Sequence, residues 1–272
     1  MSKSLVRSWG LGIVLAAALS ACGPQSTLII PISAGPVTTS PKDGMPLVLV
    51  PAGVFQMGSE PYLDEEPIHK VNLSSFWIDQ TEVTNGSYAR CVKEGACQPP
   101  RRISSYTRKE YYGNMFYKTY PVIYVDWNEA ESYCKWAGLR LPTEAEWEKA
   151  ARGTDQRIYP WGNHLPDTDL LNYNFDFGDT SVVENFLSSA SPYHVLNMAG
   201  NVSEWVADWY DRQYYSQSPA QDPGGPTSGI YRVVRGGSWP DNRNIVRAAL
   251  RLYYTPDASF FNLGFRCALS AQ

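Results

Sequence analysis

The sequence has little charge and almost no histidine. Asp, Glu, Lys and Arg make up 18% of its 272 residues, and 27 acidic against 23 basic side chains leave a net charge of −4. No segment gathers enough Lys or Arg to lie along a nucleic-acid backbone, so a DNA- or RNA-binding role is excluded. The same shortage of charge excludes a long solvated helix or coiled coil, and a hydrophobic content of 43% excludes a disordered chain. The three histidines, His69, His164 and His194, lack H-x-x-x-H spacing and read as loop or strand-edge residues. There is no C-x-x-C pair for zinc and no G-x-S-x-G, H-E-x-x-H or phosphate-binding glycine loop, which leaves hydrolase, protease and nucleotide chemistry without support. Ser238 has no paired base in view and reads as part of a tight turn. No internal repeat is present.

Rings are abundant instead. The chain holds 9 Trp, 18 Tyr and 9 Phe beside 21 Gly and 20 Pro, which describes a turn-rich domain packed around aromatics. At the start, Lys3 and Arg7 precede an apolar run from Trp9 to Leu19 that is too short to span a bilayer, and small residues follow. Leu19-Ser20-Ala21-Cys22 resembles a bacterial lipobox. The expectation is a signal peptide over 1–21, a lipidated Cys22 with a Pro/Ser/Thr/Gly-rich tether over 22–44, and one domain over 45–272. The lipid would then be the only membrane anchor of an extracytoplasmic envelope protein, periplasmic or at the outer surface.

Assigning Cys22 to lipid leaves four cysteines, for which three pairings exist. Cys91 and Cys97 are close enough to pair with each other, which leaves Cys134 for Cys267. Strands are expected at Leu47–Val50, Val54–Met57, Val71–Leu73, Phe76–Asp79, Tyr231–Arg235 and Phe265–Leu269. Helices are expected after three caps: Thr84 up to Gly95, Asp126 up to Gly138, and Thr143 up to Gly153. Glu144, Glu146 and Glu148 are explained by helix-start electrostatics and solvation rather than acid–base work.

Several strings resemble one family. Val50-Pro51-Ala52-Gly53-Val54-Phe55-Gln56-Met57-Gly58-Ser59 is followed by Asp79-Gln80-Thr81-Glu82-Val83-Thr84-Asn85. Then come Gly138-Leu139-Arg140-Leu141-Pro142-Thr143-Glu144-Ala145-Glu146-Trp147-Glu148 and Tyr159-Pro160-Trp161-Gly162. Asn197-Met198-Ala199-Gly200-Asn201-Val202-Ser203-Glu204-Trp205, Arg235-Gly236-Gly237-Ser238-Trp239 and Gly264-Phe265-Arg266-Cys267 complete the set. In this order they resemble the formylglycine-generating enzyme, or sulfatase-modifying factor, domain.

The resemblance implies a single α+β domain of low regular structure, related to the C-type lectin fold, and it also implies the Cys134–Cys267 bridge. It implies structural calcium held by Asn197 and Glu204 side chains with the Gly200 and Val202 carbonyls. A second ion would lie at Asn172 and Asp179 with the Tyr173 and Ser181 carbonyls, oxygen donors that suit Ca²⁺. The family's oxidases hold copper with two cysteines shortly after the Gly-Gly-Ser string. Here Pro240 to Arg251 contains no cysteine, so copper is not expected. Ser203 stands where relatives usually carry Trp. The expectation is a non-catalytic binding or scaffold lipoprotein whose cleft, lined by Ser203, Trp205, Trp239, Arg243 and Arg247, holds a peptide or another envelope protein. The alternative is a divergent metal-dependent oxidoreductase or protein-maturation enzyme of the same family.

Overall fold

The computed structural model describes residues 36–60 and 62–271. The expected leader and Cys22 lie outside them. Among the described residues no helix is long and apolar enough to cross a membrane. The chain is α+β, with most residues in packed loops between short elements.

β-Branched and aromatic runs form the first sheet. β1 (Val37–Thr39), β2 (Pro46–Val50), β5 (Phe76–Asp79) and β10 (Ala268–Ser270) pair in the order β1-β2-β5-β10, with Val48 opposite Ile78. β3 (Gly53–Met57) and β4 (His69–Leu73) form a two-stranded ribbon that buries Phe55, Met57, Val71 and Leu73 on alternate positions. The third sheet holds β6 (Ser203–Trp209), β7 (Arg232–Arg235), β8 (Leu252–Tyr254) and β9 (Leu263–Phe265) in the order β8-β7-β6-β9, with β6 and β9 parallel.

Each helix begins at its expected cap. Thr84 accepts from Ser87 N ahead of α1 (Asn85–Lys93). Asp126 and Glu129 form a reciprocal box at α2 (Trp127–Trp136), and Thr143 and Glu146 form another at α3 (Glu144–Arg152). Each such cap contributes roughly 1 kcal/mol. Helix α2 turns Ala130, Tyr133 and Cys134 into a core where Tyr133 stacks on Tyr88 and meets Phe265 edge-on. Gly153 ends α3 at a φ of 69°, with a ring carbon of Pro192 too close to admit a side chain.

Three expectations change. The ordered fold begins by Val37 rather than at Met45, because β1 pairs with β2 and the buried Asp43 carboxylate accepts from Tyr133 Oη at 2.9 Å and Met45 N at 3.1 Å. The strand expected over Phe265–Leu269 is two strands. The chain leaves the third sheet at Phe265 and joins the first at Ala268, with the side chains of Arg266 and Cys267 buried between them. Finally, β6, the longest strand among the described residues, was not expected, and its first two residues, Ser203 and Glu204, are the end of the segment read as an ion-binding loop.

Both expected bridges are present: Cys91–Cys97 spans six positions and Cys134–Cys267 spans 133. In the chain-entropy model the long bridge contributes about 5 kcal/mol and the short one about 2 kcal/mol. Replacing Cys134 and Cys267 with alanine should therefore lower stability by at least twice as much as replacing Cys91 and Cys97, measured by denaturant unfolding. Equal losses would contradict the entropic account.

Candidate functional site

The loop Asn197–Val202 is held in left-handed turns, with Asn197, Gly200 and Asn201 at φ values of 54°, 75° and 55°. A side chain at Gly200 would collide with Asn172 O, so only glycine lets the two segments meet. They meet through Asn201 N to Asn172 O at 2.8 Å, and Asn172 Nδ2 reaches Asp179 O at 2.8 Å. The residues of the two expected calcium sites thus form adjoining parts of one buried polar region.

Glu82, which sequence reasoning did not single out, joins this region from the turn before α1. Its two oxygens accept from Asn197 Nδ2 at 2.9 Å and Asn201 Nδ2 at 2.8 Å. Burial pushes its carboxyl up to about 7; Arg266 opposes that shift and Glu204 adds to it. Its only signal in the sequence was an acid placed between buried residues of the Asp79–Asn85 string.

The donor set fits a hard cation unevenly. Asn172 Oδ1 is buried without a partner, and among the described residues nothing donates to Asn197 Oδ1. Two free amide oxygens suit Ca²⁺. The carboxylates are already engaged. Glu204 accepts from Arg266 through both oxygens, at 2.6 and 2.7 Å, and from Trp147 Nε1 at 2.8 Å. Burial would raise Asp179, but hydrogen bonds from Ser105 and Thr107 outweigh it and hold the carboxyl below its ordinary value, with Arg108 at 3.5 Å. The Tyr173 carbonyl accepts from Asp176 N at 2.9 Å, and the Ser181 carbonyl faces Asn201 Nδ2 at 3.5 Å. Val202 is fully buried beside them.

The segment after Gly236 forms the second part of the site. Gly236 and Gly237 have φ values of 94° and 65°, and a side chain at Gly237 would lie 2.8 Å from Ile245 O. In the turn that follows, Ser238 donates from N and Oγ to the Asp241 carboxylate at 2.9 and 2.5 Å. Burial raises the Asp241 carboxyl. The turn sets Trp239, fully buried, beneath Tyr106, Phe175 and Phe261, with ring centroids 5.2–5.5 Å away. Tyr106 is 58% exposed and Phe175 is 55% exposed, so the aromatic cluster reaches the surface. Every cysteine among the described residues is in a disulfide, and Gly236–Arg251 offers no thiol, so the donors here do not fit Cu(I).

The five residues expected to line one cleft do not do so. Ser203 and Trp205 belong to buried β6, and Trp205 Nε1 donates to Val125 O at 3.2 Å in the core. Arg247 is paired with buried Glu65 at 2.7 and 2.9 Å, and Tyr62 covers its face at 4.0 Å. Arg243 is exposed and borders a depression of about 300 Å³ with Tyr173 and Asn242. Only Trp239 contributes to the aromatic face, from below.

The acids of α3 are a further correction, because they are buried rather than solvated. Glu146 closes its cap and meets Arg140 at 2.6 Å. Glu144 and Glu148 face Arg235, Arg251 and Arg152, and Asp208 accepts from Glu144 N at 2.8 Å. Burial first, and then the charge of Glu144, push Asp208 up to about 8 from 3.8. The stabilising contribution of the protonated group is complete below pH 3.8 and is lost as pH rises through 8. Stability should thus fall by up to about 1 kcal/mol per pH unit across that window from this group alone. Asp208→Asn should remove that component, and melting temperatures of both proteins across the window will check it. Parallel curves would refute the assignment.

The match to known proteins is extensive. The model of the sulfatase-modifying factor enzyme 1-like domain matches residues 33–271. The formylglycine-generating enzyme of Streptomyces coelicolor is 35% identical over 290 residues, covering 85% of this chain and 91% of that protein. Among solved structures, PvdO from Pseudomonas aeruginosa aligns with a TM-score of 0.74 at 27% identity, covering 88% of this chain and 99% of that one. Treponema denticola variable protein 1 aligns with a TM-score of 0.72 at 25% identity, covering 87% and 99%. With the fold and nearly the whole described chain matched, this protein belongs to the sulfatase-modifying factor family.

Proposed function

We propose that this chain is a non-catalytic binding or scaffold member of the family, anchored to the cell envelope by a lipid on Cys22, and that it captures a peptide or protein partner. The observation that carries this reading is the aromatic face. Tyr106 and Phe175 project over buried Trp239, on the turn where the family's oxidases place their copper cysteines and this chain has none. Exposed rings fixed on a rigid base give large contact area at little entropic cost, which suits recognition better than redox chemistry. The leader and Cys22 support an extracytoplasmic position. Calcium belongs to this reading as a structural ion drawn to the Asn172 side-chain oxygen, which is buried without a partner, where it would brace the loop beneath the aromatic face.

Two measurements test the reading. Replacing Tyr106 and Phe175 together with alanine removes mostly exposed rings, so folding should survive while capture of the partner in envelope cross-linking falls about tenfold or more. Unchanged capture would remove the aromatic face from the function. Elemental mass spectrometry of protein purified without added metal or chelator should find calcium, and Asn172→Ala should lower it. Stoichiometric copper or iron would instead favour the oxidoreductase alternative.

A further inference from the structure

Three buried arginines share two carboxylates beside α3. Arg152, Arg235 and Arg251 are 4%, 0% and 3% exposed, and Glu144 and Glu148 are 2% and 0% exposed. Arg251 grips Glu144 at 2.7 and 2.9 Å, and Arg235 spans Glu144 at 3.0 Å and Glu148 at 2.6 Å. Arg152 reaches Glu148 through one nitrogen at 3.0 Å. The nearby acids do not make up the difference. Glu146 is matched by Arg140, Glu65 by Arg247, and burial pushes the Asp208 carboxyl up to about 8, toward its neutral form. The cluster therefore holds one positive charge more than its acids neutralise. Such a charge in the interior is costly unless an anion reaches it.

Arg152 borders a cavity of about 450 Å³. Arg152 donates to Gly58 O at 2.8 Å and Gln156 O at 2.7 Å, while its Nε is buried without a partner. Ile68, Ile158, Ala249 and the ring of Tyr62 supply the apolar walls. The one unpaired acid on the lining, Glu60, is exposed to solvent. The cavity shares no lining residue with the aromatic face. Its volume suits a small molecule.

We propose that this cavity binds a small carboxylate with an apolar body. The carboxylate sits against the Arg152 guanidinium, and the body lies along Ile68, Ile158 and Tyr62. The surplus charge of the cluster selects an anion, and the apolar walls select against inorganic ones. A free organic acid and the C-terminus of a peptide present the same chemistry.

Calorimetric titration of the full chain with N-acetylleucine and with N-acetylleucinamide separates charge from shape. The acid should bind about tenfold or more tightly than the amide. Arg152→Gln should abolish that preference. If that variant does not fold, Ile158→Glu, at a wall residue 44% exposed, should weaken the acid and spare the amide. Equal affinities for the two probes, no binding of either at millimolar concentration, or a preference that survives in a folded Arg152→Gln protein would each overturn the proposal. A free-acid tetrapeptide ending in leucine distinguishes the sources: tighter binding than N-acetylleucine identifies a chain terminus, and weaker binding a free acid.

Discussion

The domain is organised around one buried guanidinium. Arg266 lies where the chain passes from β9 to β10, fully enclosed, and its fork closes on Glu204 at the start of β6. Its other nitrogen reaches Asp79 O at 3.1 Å at the end of β5, and Leu196 O accepts at 2.9 Å just before the asparagine loop. Trp147 of α3 completes the set by donating to the same Glu204 oxygen that takes Arg266 Nε. Two sheets, a helix and the polar loop therefore meet on a single ion pair. A pair so desolvated adds little net stability compared with apolar residues of the same shape, but losing one partner strands a charge at a cost of about 3–5 kcal/mol.

Beside α3 the local balance of charge departs from that of the whole chain. The chain as a whole is acidic, yet the guanidinium groups beside α3 outnumber their ionised partners. Arginine suits this use because it stays charged and spreads its donors over several carbonyls, as Arg235 does with Ala248 O and Ala249 O. Loops with few backbone partners of their own are thereby pinned from within, which allows a domain of short strands to hold a defined surface.

Much of this was legible in the sequence, for local reasons. Leu47–Val50 and Phe76–Asp79 read as strands because their β-branched and aromatic residues are bounded by turn formers, and Thr84, Asp126 and Thr143 announce their helices through hydrogen bonds to the next few residues. Burial was not legible. Glu144 and Glu148 occupy positions that usually face water, and only the distant Arg235 and Arg251 explain why they do not. Likewise Trp205 and Arg247 carry side chains typical of a binding groove, while Val125 and Glu65, far away in sequence, draw them inward. Ser203–Trp209 escaped notice as a strand because it is buried on both faces and lacks the alternation that marks a half-exposed one. Pro36 to Asp43 resembles a tether until β2 is present to pair with it.

The passage from β9 to β10 also governs when the domain can form during synthesis. Leu263–Phe265 provides the parallel edge of one sheet and Ala268–Ser270 the outer strand of another, and both contact segments made much earlier in the chain. Neither sheet is complete until these two segments emerge, and the Glu204 carboxylate has no counter-charge from Arg266 before then. Vectorial synthesis therefore delivers a long stretch whose native pairings are still missing, a topology of high contact order that folds late and as a unit.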